Sequence, residues 1–327
     1  MDRQSPVAAV RAAVDAFAVA HCAAEVRWCV ALSGGADSLA LTAAAAHVRP
    51  TVALIVDHGL QDGSDAVASA ARDQAIELGC VDAHVIRVQV DGRGGPEAAA
   101  RTARYAALDQ ARAGAPVLIA HTLDDQAETV LLGLGRGSGA RSIAGMRPYD
   151  PPWGRPLLGI ARSVTRGACD ELGLAPWQDP HNDDPRFTRV RLRHEVLPLL
   201  EQVLGGGVAE ALARTAAGLR EDTDTLDELA AEAFVTVVSG EGVDARLDVS
   251  TLARLPAALR RRVIRTWLLT GGGSGLTDAQ IRGVDRLAVD WRGRGGVAVG
   301  SSLQRQRLFA DRRGGELILR TEPVAHV

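Results

Sequence analysis

The sequence contains no lysine, so all 37 side chains in its Lys+Arg total are arginines. A Walker A loop needs a Lys to reach the β- and γ-phosphates, so that kind of nucleotide site is excluded. Schiff-base catalysis on a lysine amine is excluded for the same reason. Aromatic residues make up only 3% of the chain, so the cores must be built mostly of Ala, Val and Leu. Cysteine is scarce too: there are four, Cys22, Cys29, Cys80 and Cys169, and no two are spaced C-x-x-C. This argues against a zinc ribbon or a redox pair and predicts small buried apolar residues in a reducing compartment. The eight histidines form no H-E-x-x-H, so a zinc enzyme of that type is not expected. No apolar run approaches a membrane span, and the first residues show no signal-peptide pattern. A soluble cytoplasmic protein with no membrane partner is the expectation. The net charge of −3 argues against a globally basic nucleic-acid binder but leaves room for a local basic patch.

What is present is an alternation of strand and helix signals. Apolar runs at 28–32, 52–56, 84–90 and 117–120 read as strands, and 37–48, 64–78, 96–113 and 124–134 read as helices. Such βαβ units imply a parallel sheet and an α/β fold. Polar clusters come after three of the strands, at 33–38, at Asp57-His58 and at 121–125. In open α/β sheets, ligands bind beyond the carboxyl ends of the strands. After residue 135 the character changes. Residues 136–146 read as a Gly-rich basic loop and 148–156 as irregular. Helices are expected at 163–172, 187–204, 208–237, 256–269 and 278–289, with a small β-hairpin within 297–320. With 327 residues and 46% hydrophobic content, more than one core is expected. The expected organisation is a catalytic domain at 1–205, a helical linker at 206–244 and a small α+β C-terminal domain at 245–327.

The most informative stretch is Ser33-Gly34-Gly35-Ala36-Asp37-Ser38. A strand that ends in this hexapeptide and passes directly into a helix makes a phosphate cradle. The glycines let the backbone approach an anion and expose N–H groups. The helix N-terminus adds partial positive charge, and Ser33 and Ser38 add hydroxyl donors. Asp37 would repel phosphate unless a cation intervenes, which makes it the candidate Mg²⁺ contact.

The hexapeptide resembles the PP-loop of the N-type ATP pyrophosphatases, which cleave ATP between the α- and β-phosphates. Further motifs resemble the tRNA(Ile)-lysidine synthetase family within that group. Val56-Asp57-His58-Gly59-Leu60 is similar to its V-D-H-G-L-R, with Gln61 in place of the Arg. The run from Ala120 and His121 through Asp124, Asp125, Glu128 and Thr129 is similar to A-H-x-x-D-D-x-x-E-T. Glu97, Arg101, Arg104 and Tyr105 match an E-x-x-x-R-x-x-R-Y helix. Arg136-Gly137-Ser138-Gly139 and Arg155-Pro156-Leu157-Leu158 resemble two shorter elements. Asp179-Pro180-His181-Asn182 and Arg189-x-x-x-Arg193 resemble two more, with Val190 replacing an Asn. The likeness covers about residues 25–200.

The resemblance implies that ATP adenylates the wobble cytidine of a tRNA(Ile) with a CAU anticodon, and that free lysine then displaces AMP. On this reading Ser33, Gly34, Gly35, Ala36, Asp37 and Ser38 hold ATP, with Asp57 and His58 beside the nucleotide or in a structural role. Asp125 and Glu128, one helical turn apart, would receive the lysine ammonium, and one of them would take its proton. Arg101 would pair with the lysine carboxylate, and His121 would orient ATP or substrate or cap its loop. Arg136, Arg141, Arg189 and Arg193 are the tRNA-contact candidates, with Arg260, Arg261, Arg262 and Arg265 as a second cluster. Each run reads equally as a solvated helix face. The competing readings are a PP-loop tRNA thiolation enzyme and a tRNA-binding protein with a decayed ATP site. The sequence leaves open a homodimer.

Overall fold

The computed structural model describes residues 5–22, 27–59, 63–89, 96–137, 139–179, 184–293 and 295–323. Leu60, Gln61, Val90, Ser138, Pro180, His181 and Asn182, which fall in the motifs and runs of the sequence, lie outside the described residues, as does the side chain of Glu97. The chain divides into two compact units, Met1–Ala217 and Gly218–Val327. Among the described residues, no single helix is long and apolar enough to cross a membrane.

The first unit is built on strands β1 (Trp28–Ala31), β2 (Thr51–Asp57), β3 (Asp82–Arg87), β4 (Val117–Leu118), β5 (Tyr149–Asp150) and β6 (Trp153–Gly154). Its helices are α1 (Pro6–His21), α2 (Ala36–Val48), α3 (Ser64–Glu77), α4 (Pro96–Ala111), α5 (Leu123–Arg136), α6 (Ala140–Ile143) and α7 (Arg162–Glu171), then α8 (Thr188–Arg191) and α9 (Leu197–Leu204). Alternate residues of a strand face opposite sides of its sheet. Trp28 and Val30 of β1 and Ala53 and Ile55 of β2 enter one core, shared with residues of α1, α2, α3 and α7. Cys29, Val52 and Leu54 enter a second core with Leu108 of α4. Both faces of the sheet are thus covered, as parallel sheets require.

The strand order is β3-β2-β1-β4-β6-β5. β1 pairs in parallel with β2 on one side and with β4 on the other. The order therefore reverses between β1 and β4, the place where a ligand crevice opens. The 33–38 loop comes directly after β1, and His121 and α5 come after β4.

Within this unit three features were not expected from the sequence. Helix α1, capped by the Ser5 hydroxyl accepting from the Ala8 N–H, completes the first core. The stretch read as irregular at 148–156 holds β5 and β6, and β6 extends the parallel sheet beside β4. There Gly154 is required by space, because a Cβ would sit 2.5 Å from Phe17 and 2.8 Å from Leu118. The stretch read as a loop at 136–146 contains the short helix α6.

The second unit contains the C-terminal part of helix α10 (Val208–Val237), helices α11 (Val249–Arg254), α12 (Ala257–Thr270) and α13 (Asp278–Val289), and strands β7 (Val238–Ser239), β8 (Arg246–Asp248), β9 (Val297–Val299), β10 (Gln306–Arg313) and β11 (Glu316–Pro323). The unit boundary falls inside α10 rather than around a separate linker, and Ala230 and Val237 of that helix join the core with Trp267, Leu247 and Leu308. The expected hairpin is β10–β11, but it sits within a five-stranded antiparallel sheet, β7-β8-β11-β10-β9.

Candidate active site

The 33–38 loop is held open by its own residues. Gly34 has φ +83°, a left-handed conformation that glycine adopts without strain. The Gly34 carbonyl accepts from the Trp177 N–H at 2.9 Å. Ser38 donates to the Gly35 carbonyl at 2.9 Å and accepts from the Ser33 N–H at 3.2 Å. Gly35 caps α2 with no side-chain hydrogen bond, so the first-turn N–H groups of α2 are left for an anion.

Asp37, in that first turn, accepts from Arg162 Nε at 3.3 Å on one oxygen and from the Thr165 hydroxyl on the other. Burial raises its pKa above the usual carboxylate value, against the opposing pull of Thr165 and Arg162. Asp125 is the third residue of α5. It forms a capping box with Thr122, whose N–H and hydroxyl both reach Oδ2 at 2.8 Å. Its Oδ1 accepts from Arg162 at 2.6 Å. Burial acts to raise the Asp125 pKa, but Arg162 and Thr122 hold it below the usual range.

One turn on, Glu128 has no solvent exposure. It accepts from Arg193 Nε at 2.9 Å and has Arg162 at 3.6 Å and Arg189 at 3.5 Å. Arg189 and Arg193, expected on a tRNA-facing surface, are thus drawn into the carboxylate cluster. Three carboxylates and three guanidiniums share the site.

His121 lies just beyond β4. Burial lowers its pKa to about 4, so the ring is neutral at pH 7, and its Nδ1 is buried without a hydrogen-bond partner. Arg101 stacks on Tyr105, 4.9 Å from the ring centroid, and donates to its hydroxyl at 3.3 Å. Apart from Glu128 and Arg189, the charged groups of the cluster line, with His121, Arg101 and Tyr105, one cavity of about 720 Å³, within the roughly 300–1,000 Å³ typical of small-ligand clefts. Its polar wall includes Ser33, Asp37, Asp125, His121, Arg101 and Arg193, and its apolar wall includes Ala31, Leu54, Val56, Leu108 and Ile119.

Asp57 and His58 sit behind this wall. Asp57 accepts from the Gly59 N–H at 3.0 Å and lies 3.8 Å from Arg87. His58 accepts from Arg104 Nε at 3.3 Å, and it is Arg104 that faces the cavity. Arg136 and Arg141 are exposed at the end of α5 and in α6.

The PP-loop domain family matches residues 8–200, and the TilS substrate binding domain matches residues 247–312. Over 324 residues the chain is 69% identical to the tRNA(Ile)-lysidine synthase of Mycobacterium tuberculosis, covering 99% of this chain and 100% of that one. The chain belongs to the tRNA(Ile)-lysidine synthase family. Its relative of that name in Mycobacterium leprae is 66% identical over 328 residues, with 99% of this chain and 100% of that one covered. Among solved structures, the U34-tRNA thiolase NcsA from Methanococcus maripaludis superposes with a TM-score of 0.55. That match covers 67% of this chain and 81% of that chain at 16% identity, a likeness of fold.

In this member of the lysidine synthase family the sequence reading missed Arg162, which joins Asp37, Asp125 and Glu128. A signal was available. A cation at the first position of a helix opposes the macrodipole, so Arg162 needed carboxylate partners. The second arginine cluster proves largely internal: Arg260 and Arg261 pair with Asp285 at 2.5 and 3.0 Å, and Arg262 with Asp227 at 2.8 Å.

Proposed function

We propose that the chain makes lysidine at the wobble cytidine of tRNA(Ile), with ATP as co-substrate and free lysine as the incoming amine. The observation that carries this reading is the single cavity that joins the phosphate-binding loop to Asp125 and Arg101. In the first step the oxygen on carbon 2 of cytosine attacks the α-phosphorus, and pyrophosphate leaves. In the second, the lysine ε-amine attacks carbon 2, AMP leaves, and the amine proton passes to a base.

The first-turn N–H groups of α2 and the hydroxyls of Ser33 and Ser38 hold the phosphates, and the apolar wall near Leu54, Val56 and Leu108 takes the adenine. Asp57 and His58 act from behind, fixing the turn and Arg104. Asp37 fits a Mg²⁺ contact. Each of its oxygens accepts one hydrogen bond and keeps a lone pair. Among the described residues no group of three or more His, Cys, Asp or Glu forms a metal cage. A single carboxylate with substrate phosphates is a usual Mg²⁺ arrangement. Bound there, the ion would neutralise phosphate charge.

Asp125, which faces the cavity, receives the lysine ammonium, and Glu128 supports it from the buried side. Arg101 pairs with the lysine carboxylate. The neutral His121 offers a hydrogen bond to the substrate. Arg136 and Arg141, with the half-exposed Arg189, contact tRNA phosphates, and the C-terminal unit adds tRNA contacts. Such a protein works in the cytoplasm, where its tRNA is.

Sulfur transfer is disfavoured by the cysteines. Cys169 faces the cavity, but burial pushes its thiol up to about 11, so it is not the thiolate that such chemistry needs.

The test is incubation with ATP, Mg²⁺, labelled lysine and unmodified tRNA(Ile). Label in the anticodon stem-loop is expected. ATP-dependent label from a sulfur donor instead would replace this reading with thiolation. No ATP turnover with any tRNA would point to a binding module.

A further inference from the structure

Arg162 is placed unusually for a side chain that lines a substrate cavity. Its three guanidinium nitrogens face three different carboxylates: Nε faces Asp37 at 3.3 Å, one terminal nitrogen faces Asp125 at 2.6 Å, and the other faces Glu128 at 3.6 Å. Its backbone N–H donates to Asp124 at 2.8 Å, so the stem is anchored at the start of α7 while the head lies among the acids. The guanidinium is largely buried, with 11% of the side chain exposed. Asp37 and Asp125 lie on different helices that come after different strands, β1 and β4. Arg162 is therefore the group that ties the phosphate side of the cavity to the amine side.

The charge balance of this cluster has a consequence for substrate order. Asp37, Asp125 and Glu128 are equalled in number by Arg162, Arg189 and Arg193, which share them. An ammonium arriving at Asp125 would meet Arg162 already bound there at 2.6 Å, with Arg193 farther off at 3.7 Å. Like charges at one carboxylate disfavour each other. A triphosphate arriving at the 33–38 loop reverses this situation. It brings several negative charges on tetrahedral phosphoryl groups, whose paired oxygens a planar guanidinium binds bidentately. Arg162 lines the same cavity as the loop, and its stem is fixed.

We propose that Arg162 is a substrate-contacting residue that imposes an order of binding. Arg162 holds the nearest cation place at Asp125, and ATP draws its guanidinium onto the phosphates and frees that place for the lysine ammonium. The inference rests on the lysidine-forming function proposed for this site and adds to it a coupling between the two small-molecule sites. Such a coupling is reciprocal: lysine must raise the affinity for nucleotide by the same factor as nucleotide raises the affinity for lysine.

The experiment is calorimetric titration of lysine into the full chain, alone and saturated with Mg²⁺ and an ATP analogue whose α–β bridge is a methylene. Lysine affinity is expected to rise by about tenfold or more with the analogue, and analogue affinity by the same factor with lysine. Arg162→Met is expected to bind lysine without nucleotide and to lose this dependence, a gain that mere damage to the fold would not produce. Arg162→Lys is expected to restore part of it. In turnover, Arg162→Met should raise the KM for ATP more than that for lysine. Equal lysine affinity with and without analogue in the wild type overturns the inference, as does full dependence in a folded Arg162→Met. Lysine binding in neither state while lysidine still forms also overturns it, because the tRNA would then complete the amine site. If the wild type forms no lysidine under any condition, the functional reading itself fails and the inference falls with it.

Discussion

Glu128 and Arg193 form an ion pair in which the carboxylate has no contact with solvent: Arg193 Nε donates to Glu128 Oε1 at 2.9 Å. Removing one partner of such a pair strands the other charge in a low-dielectric site. Glu128→Ala should therefore lower unfolding free energy by about 3–5 kcal/mol. Urea unfolding measures this, and a loss within experimental error would show that the three arginines find water or other partners.

Asp37 has a different exposure and a different expected failure. Asp37→Asn keeps the shape and can still accept from Arg162 while its amide donates to the Thr165 hydroxyl, which can accept as well as donate, but it removes the charge facing the phosphates. Pyrophosphate release should fall by roughly 10²–10³-fold, with the circular dichroism spectrum unchanged. Retained turnover would remove Asp37 from the chemistry.

His121 gives a pH signature. Burial lowers its folded pKa to about 4 from the ordinary 6.5. The unfolded chain then binds more protons between these values, so the stability from the neutral buried ring is present above about pH 6.5 and lost as the pH falls toward about 4. The loss is on the order of 3 kcal/mol. The His121 ring resonances in an NMR titration should move near pH 4. A midpoint near 6.5 would place the ring in water.

Binding of tRNA should weaken steeply with added salt, since phosphate contacts release counterions. Arg136→Ala and Arg141→Ala should each lower the slope of log K against log salt by about one. A slope unchanged in both variants would move the contacts elsewhere.

Gly154 tests the fold. A methyl group there would meet Phe17 and Leu118 inside normal contact distance. Gly154→Ala should cost about 1–3 kcal/mol through overpacking, read from the urea midpoint. A neutral substitution would mean that α1 shifts without penalty.

The parallel sheet was legible because β1, β2 and the helices α2 and α3 that follow them carry strong local patterns with clear stops. Gly79 at φ +95° and Gly114 at φ +82° lie just past the ends of α3 and α4. Strands β5 and β6 were not legible. They are two residues long, too short to show a periodicity, and β6 is held by β4, which lies before α5 in the chain. Helix α1 is rich in Ala and Val on every side, with Val19 exposed while Val10 and Val14 are buried, so its apolar stripe is poorly marked. At the site, the strand-end clusters marked the crevice, but the pairing of Arg189 and Arg193 with Glu128 depends on helices about 60 residues apart. Local sequence does not separate an arginine that faces RNA from one that neutralises a buried acid.

The two oxygens of Asp125 have separate duties, one to Thr122 at the start of α5 and one to Arg162. An amide in that place has only one oxygen. Whichever way Asn turned, its NH₂ would point either at the Thr122 N–H or at a guanidinium, and both are donors. The most conservative exchange is thus the wrong probe of this carboxylate, since lost helix start and lost chemistry would arrive together in one measurement. Scanning mutagenesis would register Asp125 as essential for two unrelated reasons, and only removing the Thr122 hydroxyl separately would tell them apart.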